Sequence, residues 1–251
     1  MSGKVYEEEH TVKYYEGDTL GRMSLPMLIN NLIHVSETQS SVLGVDDAFV
    51  KSRGLSWIIL QYGIEIKRMP RITEKVRIQT QAMSYNKLFC YRDFNVRDEA
   101  GEEIVTVHST FALMDLEKRK MVRVPQEVIA PYESEFTKRL IRTPQPEKVN
   151  EEKLAAKTYR VRYLDIDQNK HVNNSKYFEW ALDALGYDFL ATHELMSMNI
   201  KFEKEVQYGE QVQSEYSLRK MEEGQVLSAH RIVTEGKTNC ELSAVWKALE
   251  E

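Results

Sequence analysis

Residues 161–171 have the sequence Val-Arg-Tyr-Leu-Asp-Ile-Asp-Gln-Asn-Lys-His, and residues 12–22 have the related sequence Val-Lys-Tyr-Tyr-Glu-Gly-Asp-Thr-Leu-Gly-Arg. The two stretches align without a gap at an offset of 149 positions, with Val on Val, Tyr on Tyr, Asp on Asp and charged residues on like charges. An internal repeat of this kind indicates a duplicated structural unit. The sequence therefore predicts two related halves that begin with the same motif.

A helical pattern of apolar residues follows each copy of the motif. Pro26 to Leu43 and Asn174 to Leu185 both repeat apolar residues at helical spacing. A glycine, Gly44 or Gly186, stands directly after each segment, as at a helix C-terminus. We therefore expect one long amphipathic helix near the start of each half.

After each helix the apolar residues recur with a period of two, which is typical of antiparallel strands. A second alignment, at an offset of 136 positions, places residues 64–70 on residues 200–206. The predicted strands are Trp57–Ile66, Val76–Thr80, Phe89–Val96, Ile104–Leu113, Met198–Phe202, Gln211–Leu218, Gln225–Val233 and Cys240–Ala248.

The segment between the halves, Thr143-Pro-Gln-Pro-Glu-Lys-Val-Asn-Glu-Glu-Lys153, is polar and contains two prolines, a composition typical of a linker. We predict an N-terminal domain over residues 1–140, a linker over 141–155 and a C-terminal domain over 156–251. A long helix wrapped by an antiparallel sheet, present twice, is an α+β architecture. We expect the two copies to pair as an intrachain pseudo-dimer.

The composition excludes several classes of protein. The 251 residues include 34 Lys and Arg against 39 Asp and Glu, so the chain lacks the basic excess of a nucleic-acid reader, and we expect no nucleic-acid partner. No apolar stretch approaches the roughly 20 residues that a membrane-spanning helix needs, so we expect no membrane span. The charged first residues do not resemble a signal peptide, and we expect a cytoplasmic location.

The cysteines and histidines show no metal-ligand spacing. The two cysteines, Cys90 and Cys240, stand far apart, and the six histidines form no His-Glu-x-x-His motif. We therefore expect no metal and no cofactor. Two isolated cysteines suit a reducing compartment, where they behave as small buried apolar residues.

The densest polar cluster is Asp165-Ile-Asp-Gln-Asn-Lys-His-Val-Asn-Asn174, directly before the second helix. In an extended segment the side chains of Asp167, Asn169 and His171 lie on one side, because side chains alternate along the chain. Asn173 or Asn174 can cap the helix, and both can also contact a substrate. The backbone N–H groups of residues 172–174 are expected to hold an oxygen that gains negative charge.

The second alignment places Glu205 at the end of the strand that follows this helix. Glu205 is a candidate general base for water. His171 and Asn169 would then orient the water or the substrate, and Asp167 would hold the imidazole.

The first half has lost most of these groups. It keeps Asp18 opposite Asp167, but Leu20, Arg22 and Met69 stand at the positions of Asn169, His171 and Glu205. The second half alone is therefore expected to perform acid–base chemistry, and the first half is free to shape a ligand pocket. The apolar side chains suited to line such a pocket are Leu28, Leu32, Trp57 and Ile59.

The segment Asp165-Ile-Asp-Gln-Asn-Lys-His-Val-Asn-Asn174 with the following helix resembles the active-site segment of the acyl-[acyl carrier protein] thioesterases, whose pattern is Asp-x-Asn-x-His-Val-Asn-Asn. The resemblance continues through most of the chain. Other similar segments are the strand around Trp57, the turn Arg68–Arg71, the stretch Arg92–Asp98 and the stretch Val124–Val128.

This resemblance implies two hotdog folds in tandem. It also implies hydrolysis of fatty acyl thioesters, the reaction that ends fatty-acid synthesis. It implies a catalytic set of Asp167, Asn169, His171 and Glu205, with an acyl carrier protein as partner. Some members of the family have a cysteine directly after the glutamate, whereas this chain has Val206. A thiol nucleophile at that position is excluded, which favours attack by water.

Two other functions remain open at this point, an acyl-CoA thioesterase on the same fold and a non-catalytic regulator that binds acyl thioesters. A homodimer is also left open. Basic side chains that would suit an acidic carrier protein are Arg68, Arg71, Lys87, Arg92, Lys170 and Lys176.

Overall fold

The computed structural model describes residues 3–249. These residues form two compact units. One contains the residues up to Met23 together with Leu28–Thr143, and the other contains Ser24–Met27 together with the residues from Pro144 onward. In the described part of the chain, no helix is long and apolar enough to cross a membrane.

The first unit contains an antiparallel sheet in the strand order β1-β3-β4-β5-β2. A short strand, β6, pairs with β5, and another, β7, runs parallel to β3. The strands are β1 (Val5–Thr11), β2 (Leu55–Ile66), β3 (Lys75–Tyr85), β4 (Phe89–Arg97), β5 (Glu103–Asp115), β6 (Lys120–Val122) and β7 (Glu135–Phe136). The helices are α1 (Leu25–Val42), α2 (Asp47–Lys51) and α3 (Gln126–Ile129).

Helix α1 buries the face that the apolar periodicity predicts. Leu28, Leu32 and Val35 recur at intervals of three and four residues and are fully buried. The polar Gln39 continues this buried face and contacts Arg92 on β4, so the inner face of the sheet packs towards this helix. A smaller apolar cluster joins Val50 of α2 to Leu55 and Leu113 of the sheet.

The second unit repeats this plan with fewer residues. Its antiparallel sheet has the order β9-β12-β11-β10-β8, and its long helix packs on β10 and β11. The strands are β8 (Ala155–Arg160), β9 (His193–Phe202), β10 (Gln211–Lys220), β11 (Gln225–Thr234) and β12 (Lys237–Ala248). The helices are α4 (Asn174–Leu185) and α5 (Tyr187–Thr192).

The predicted α+β class, with one long helix against an antiparallel sheet in each half, is confirmed, and each half has the hotdog arrangement. The short strands β6 and β7 and the longer strands β1 and β8 were not predicted. The strands β1 and β8 lie at the end of their strand order, and their sequences, Val-Tyr-Glu-Glu-Glu-His-Thr and Ala-Ala-Lys-Thr-Tyr-Arg, are mostly polar. An edge strand contributes little to the apolar core, so the period-two signal is weak there.

The segment between the halves has no regular structure from Leu140 to Asn150, and a single 3₁₀ turn follows at Glu151–Lys153. The backbone N–H groups of Glu147 and Asn150 donate to the hydroxyls of Ser243 and Ser217. Side-chain anchors of this kind keep an irregular segment against the sheet without strand pairing.

Candidate active site

The loop before α4 is shaped by the carboxylate of Asp167. Its Oδ1 accepts hydrogen bonds from the backbone N–H of Asn169, at 2.8 Å, and of His171, at 3.3 Å. The backbone closes the same turn, because the N–H of Asp167 donates to the carbonyl of His171 at 2.8 Å. Asp167 therefore positions His171 through the backbone of the loop. The sequence predicted a contact between Asp167 and the imidazole of His171, whereas the described contacts of Asp167 are with backbone groups.

The end of β9 leads into a segment that is fixed beside this loop. The N–H of Val172 donates to the carbonyl of Val206 at 3.3 Å, and the N–H of Val206 donates to the Tyr177 hydroxyl at 3.2 Å. The side-chain amide of Asn239 on β12 donates to the carbonyl of Glu205 at 3.3 Å. These three bonds hold the backbone of Glu205 and Val206 against the loop, the helix and β12.

This scaffold brings together the two side chains that the sequence separates by 34 positions. His171 Nε2 lies 3.2 Å from Glu205 Oε2, and the two side chains are 29% and 33% exposed. A carboxylate that contacts an imidazole and still has accessible surface can take a proton from water. The pair therefore has the geometry of a general base with its orienting partner.

Asn169 is exposed in the same loop, two residues before His171. Its backbone N–H is bound by Asp167, and within residues 3–249 its side-chain amide has no partner. An amide with a free donor and a free acceptor can bind a water or a carbonyl oxygen.

The start of α4 corrects the expected oxyanion site. Asn173 is the N-cap, because its side-chain oxygen accepts from the N–H of Ser175 at 3.0 Å. The N–H of Val172 is bound to Val206, and the N–H of Asn173 is bound to the carbonyl of Asp165 at 2.9 Å. In the described chain, the N–H of Asn174 is therefore the one backbone donor of residues 172–174 that has no partner.

Asp165 has a structural role at the base of the loop. Its carboxylate is 1% exposed and binds the backbone N–H and the guanidinium of Arg162. Burial raises the pKa of this carboxyl, but the hydrogen bonds from Arg162 outweigh burial and lower the pKa overall. The carboxyl is therefore ionised and committed to Arg162, and Asp165 is not among the predicted catalytic residues Asp167, Asn169, His171 and Glu205.

The residues expected to line an acyl pocket all lie in the first half. Leu28 and Leu32 are fully buried on α1, whereas Trp57 and Ile59 are half-buried on β2. The Trp57 indole makes an edge contact with Phe111, at 6.4 Å between ring centroids. Their role as pocket lining stays a prediction.

Of the basic residues expected to meet a carrier protein, Arg92 is contradicted. Its side chain is 8% exposed and binds Gln39 and Thr80 inside the first half. Arg68 is committed to Glu74 and Asp98. Lys170, in the loop of the candidate site, is exposed.

Two residues of the site were missed from sequence. Tyr177 and Asn239 bind the backbone of residues 205 and 206, yet Tyr177 follows the apolar pattern of α4 and Asn239 lies 34 positions after Glu205. No local motif marks either residue, because both act through contacts between distant segments.

Comparison with known families agrees with this geometry. The family model for the acyl-ACP thioesterase N-terminal domain matches residues 3–132, and the model for the C-terminal domain matches residues 148–248. The chain belongs to the acyl-ACP thioesterase family. The C-terminal match contains both His171 and Glu205, and the N-terminal match contains the half that has lost them.

Individual acyl-ACP thioesterases are also similar to the chain in sequence. The chain is 27% identical over 230 residues to an oleoyl-acyl carrier protein thioesterase of Coriandrum sativum, covering 84% of this chain and 62% of that protein. It is 26% identical over 220 residues to the acyl-[acyl-carrier-protein] hydrolase FATB1 of Cuphea viscosissima, covering 81% and 52%. Both relatives are described as chloroplastic, and the chain spans between half and two thirds of their length.

Two solved structures support the fold. A putative oleoyl thioesterase from Lactobacillus plantarum superposes with a TM-score of 0.96 at 37% identity, covering 99% of this chain and 98% of that one. The 12:0-ACP thioesterase from Umbellularia californica superposes with a TM-score of 0.84 at 20% identity, covering 98% of each chain. The predicted tandem hotdog fold is confirmed.

Proposed function

We propose that the protein hydrolyses fatty acyl thioesters of the acyl carrier protein to a free fatty acid and the carrier thiol. The observation that carries this proposal is the contact between His171 and Glu205, at 3.2 Å, which occurs in one half of a duplicated fold. Membership of the acyl-ACP thioesterase family supports the nature of the substrate and the carrier.

In the proposed reaction, Glu205 takes a proton from a water molecule as the water oxygen bonds to the thioester carbonyl carbon. His171 orients the Glu205 carboxylate, and the Asn169 amide holds the water or the substrate. The N–H of Asn174, at the start of α4, donates to the oxyanion, where the helix dipole adds to the stabilisation. The carbon–sulfur bond then breaks, and the proton passes from Glu205 to the sulfur.

The cysteines favour water over a thiol as nucleophile. Cys240 is fully buried, and burial raises the pKa of its thiol well above the usual value. Burial likewise raises the pKa of the Cys90 thiol, to about 12. Val206, which follows Glu205, cannot act as a nucleophile. A covalent acyl-cysteine is therefore not part of the proposal.

The first half is proposed to bind the acyl chain and the second half to perform the chemistry. In the first half, Arg22 and Met69 stand at the positions equivalent to His171 and Glu205, whereas the loop around Asp18 is retained. This difference supports the division. The two free cysteines support the proposed location in the cytosol. Self-association into a homodimer stays a prediction that sedimentation can check.

The experiment that tests the proposal measures thiol release from acyl carrier proteins that carry acyl chains of increasing length. We expect turnover that peaks at one chain length and is lost in the His171→Ala variant. Tight binding without turnover on any chain would replace the proposal by a non-catalytic regulator.

The carrier is tested separately, with one acyl group presented on the carrier protein and on coenzyme A. A higher kcat/KM on the carrier protein supports the proposal. A higher kcat/KM on coenzyme A would make the protein an acyl-CoA thioesterase.

A further inference from the structure

The peptide unit between Glu205 and Val206 is held at both of its polar ends by buried side chains. The side-chain amide of Asn239 donates to the Glu205 carbonyl at 3.3 Å, and the Val206 N–H donates to the Tyr177 hydroxyl at 3.2 Å. Asn239 and Tyr177 are only 2% and 3% exposed. Because a peptide unit is planar, bonds at its carbonyl and at its N–H fix its rotation. They thereby fix the direction in which the Glu205 side chain leaves the backbone.

A third buried side chain orients the Asn239 amide. The Oδ1 of Asn239 accepts from the Thr234 hydroxyl at 3.0 Å, and Thr234 is also buried. The backbone carbonyl of Asn239 accepts from the N–H groups of Glu203 and Lys204, at 2.8 and 3.1 Å, which holds β12 beside the segment that carries Glu205. The amide cannot rotate without breaking its bond to Thr234 or to Glu205, so its N–H group stays directed at the Glu205 carbonyl.

The first half has an apolar residue at the position of Asn239. The pairing register of β12 on β9 matches that of β5 on β2 and makes Ile104 the equivalent of Asn239. The Ile104 carbonyl accepts from the Lys67 N–H at 2.9 Å, as the Asn239 carbonyl accepts from the Glu203 N–H. The backbone at this point is therefore the same in both halves, and the fold does not need the amide.

Both partners of the other bond are also replaced in the first half. Leu28 stands at the position of Tyr177, and Pro70 stands at the position of Val206. Leucine has no hydroxyl and proline has no N–H, so the bond cannot form and neither of its buried polar groups is left without a partner. The Pro70 carbonyl still accepts from the Met23 N–H at 2.7 Å, so the shared backbone contact does not depend on the bond that is lost.

The needs of the fold do not account for the polar side chains of the second half. Burying an amide or a hydroxyl is costly unless it is hydrogen-bonded, and aliphatic side chains in the same place can be equally stable. The half with Met69 uses aliphatic residues at both positions, whereas the half with Glu205 uses Asn239 and Tyr177. The polar side chains therefore occur together with the carboxylate whose backbone they hold.

We propose that Asn239 and Tyr177 are positioning residues, which hold the peptide unit of Glu205 so that its carboxylate stays against His171. In this role neither side chain contacts the substrate, and each acts through the backbone of Glu205. The inference rests on the proposed function, because it assigns both residues a part in thioester hydrolysis. A misdirected general base slows the chemical step and leaves substrate binding unchanged.

The test measures thiol release from an acyl carrier protein substrate by two variants. Tyr177→Phe removes only the hydroxyl, and Asn239→Ile introduces the residue of the first half. Each variant should lower kcat about tenfold and keep KM within about twofold of the wild type, because the carboxylate is less well oriented while the pocket is retained. A wild-type kcat in both variants would overturn the proposal, and so would a loss confined to KM.

Ser214→Ala is the matched control, because it also removes a buried hydrogen bond from the second half. The Ser214 hydroxyl donates to the Trp180 carbonyl on α4 at 3.0 Å, and this bond does not involve Glu205. The control should lose unfolding free energy comparable to that lost by Tyr177→Phe, but it should keep kcat. An equal loss of kcat in the control would show that general destabilisation lowers the rate, which would overturn the proposal.

Thr234 gives a milder pair of variants for the case in which Asn239→Ile fails to fold. Thr234→Val removes the hydroxyl that orients Asn239 with little change of shape, whereas Thr234→Ser keeps this hydroxyl. We expect kcat to fall about threefold in Thr234→Val and to be restored in Thr234→Ser, with KM unchanged in both. Equal kcat in these two variants would contradict the role of Asn239.

Crystal structures of the wild type and the variants separate this inference from the proposed function. In Asn239→Ile and Tyr177→Phe, the contact between His171 Nε2 and Glu205 Oε2, at 3.2 Å here, should lengthen beyond hydrogen-bond distance. A wild type that releases no thiol from any carrier substrate would contradict the proposed function, and the structures would still decide whether these side chains hold the carboxylate. An unchanged contact in both variants would overturn the inference, whatever the turnover.

Discussion

The loops around Asp18 and Asp167 have the same backbone and different chemistry. In both loops the aspartate Oδ1 accepts from the N–H groups two and four residues later, and the aspartate N–H donates to the carbonyl four residues later. In the first half Arg22 folds back onto Asp18, with Nη2 2.9 Å from Oδ2, whereas in the second half His171 contacts Glu205.

The two loops share the residue that forms the loop and differ in the side chains that could perform chemistry. Because the first half keeps the aspartate after losing the other groups, the aspartate is needed to form the loop, whether or not the loop is catalytic. The segments after the equivalent strands are also held in the same way. The N–H of Met23 donates to the Pro70 carbonyl in the first half, and the N–H of Val172 donates to the Val206 carbonyl in the second. Arg22 and Met69 occupy the positions equivalent to His171 and Glu205, and a methionine cannot accept a proton as the Glu205 carboxylate can.

The largest expected effect comes from His171→Ala. We expect kcat to fall by about 100- to 10,000-fold with little change in KM, because Glu205 loses the side chain that orients its carboxylate for general-base catalysis while the pocket is retained. Arg22→Ala, at the equivalent position of the first half, is the matched control and should keep kcat. Steady-state thiol release measures both variants. A loss that appears in KM with kcat intact would contradict the assignment.

The next largest effect on kcat is expected at Asp167 and not at its counterpart, Asp18. Asp167→Ala should lower kcat by about 10- to 100-fold, because the loop no longer holds His171 in its orientation. Asp167→Asn keeps an acceptor oxygen and should recover most of the loss.

Asp18→Ala should cost about 1 kcal/mol of unfolding free energy and leave kcat unchanged. Parallel denaturation and kinetic measurements distinguish the two positions. Equal kinetic losses in both variants would show that the halves do not divide scaffold from chemistry.

His230 gives a stability comparison. It is fully buried on β11, both ring nitrogens are unpaired, and it occupies the register that Phe94 occupies on β4. His230→Phe copies the first half and should stabilise the protein by about 1–3 kcal/mol, because two buried polar atoms no longer lack partners. Urea denaturation at neutral pH measures this change, and a destabilised variant would contradict it.

The pH dependence of the same variant gives a sharper test. Burial lowers the pKa of His230 to about 3, whereas in the unfolded chain it is near 6.5. Between these values the unfolded state binds the additional proton, so stability falls as the pH is lowered, by up to about 1.4 kcal/mol per pH unit from this group. His230→Phe should remove this part of the slope. An unchanged slope would show that His230 does not contribute.

The smallest expected effect concerns Lys170, which has a φ of 65° where the first half has Gly21 with a φ of 71°. Glycine adopts this region without strain, so Lys170→Gly should not destabilise the loop. If the exposed ammonium meets an acidic carrier, KM for the carrier-bound substrate should rise on the order of threefold at low ionic strength. An unchanged KM at low salt would remove Lys170 from the docking surface.

The repeat in residues 12–22 and 161–171 predicted the duplicated fold, and the apolar periodicity after each copy predicted the two long helices and eight strands. This periodicity did not predict β1 and β8, which are polar edge strands, or the short strands β6 and β7. The aligned offsets also placed Glu205 near His171, which the structure shows.

Other details of the site depend on contacts that no local pattern encodes. The N–H groups of Val172 and Asn173 were expected to face an oxyanion, yet the structure commits them to the carbonyls of Val206 and Asp165. Arg92 was expected on the surface because arginine usually is, but its position on the inner face of β4 buries it. Residue type alone could not distinguish these cases.

We propose that the carboxylate of Glu205 activates water in the second half alone. The most direct measurement is kcat for thiol release from one acyl carrier protein substrate by Glu205→Gln and by Met69→Gln, its counterpart in the first half. We expect Glu205→Gln to lose about 100-fold or more in kcat, since the amide cannot accept the proton, and Met69→Gln to match the wild type. A Glu205→Gln variant that keeps its kcat would contradict it.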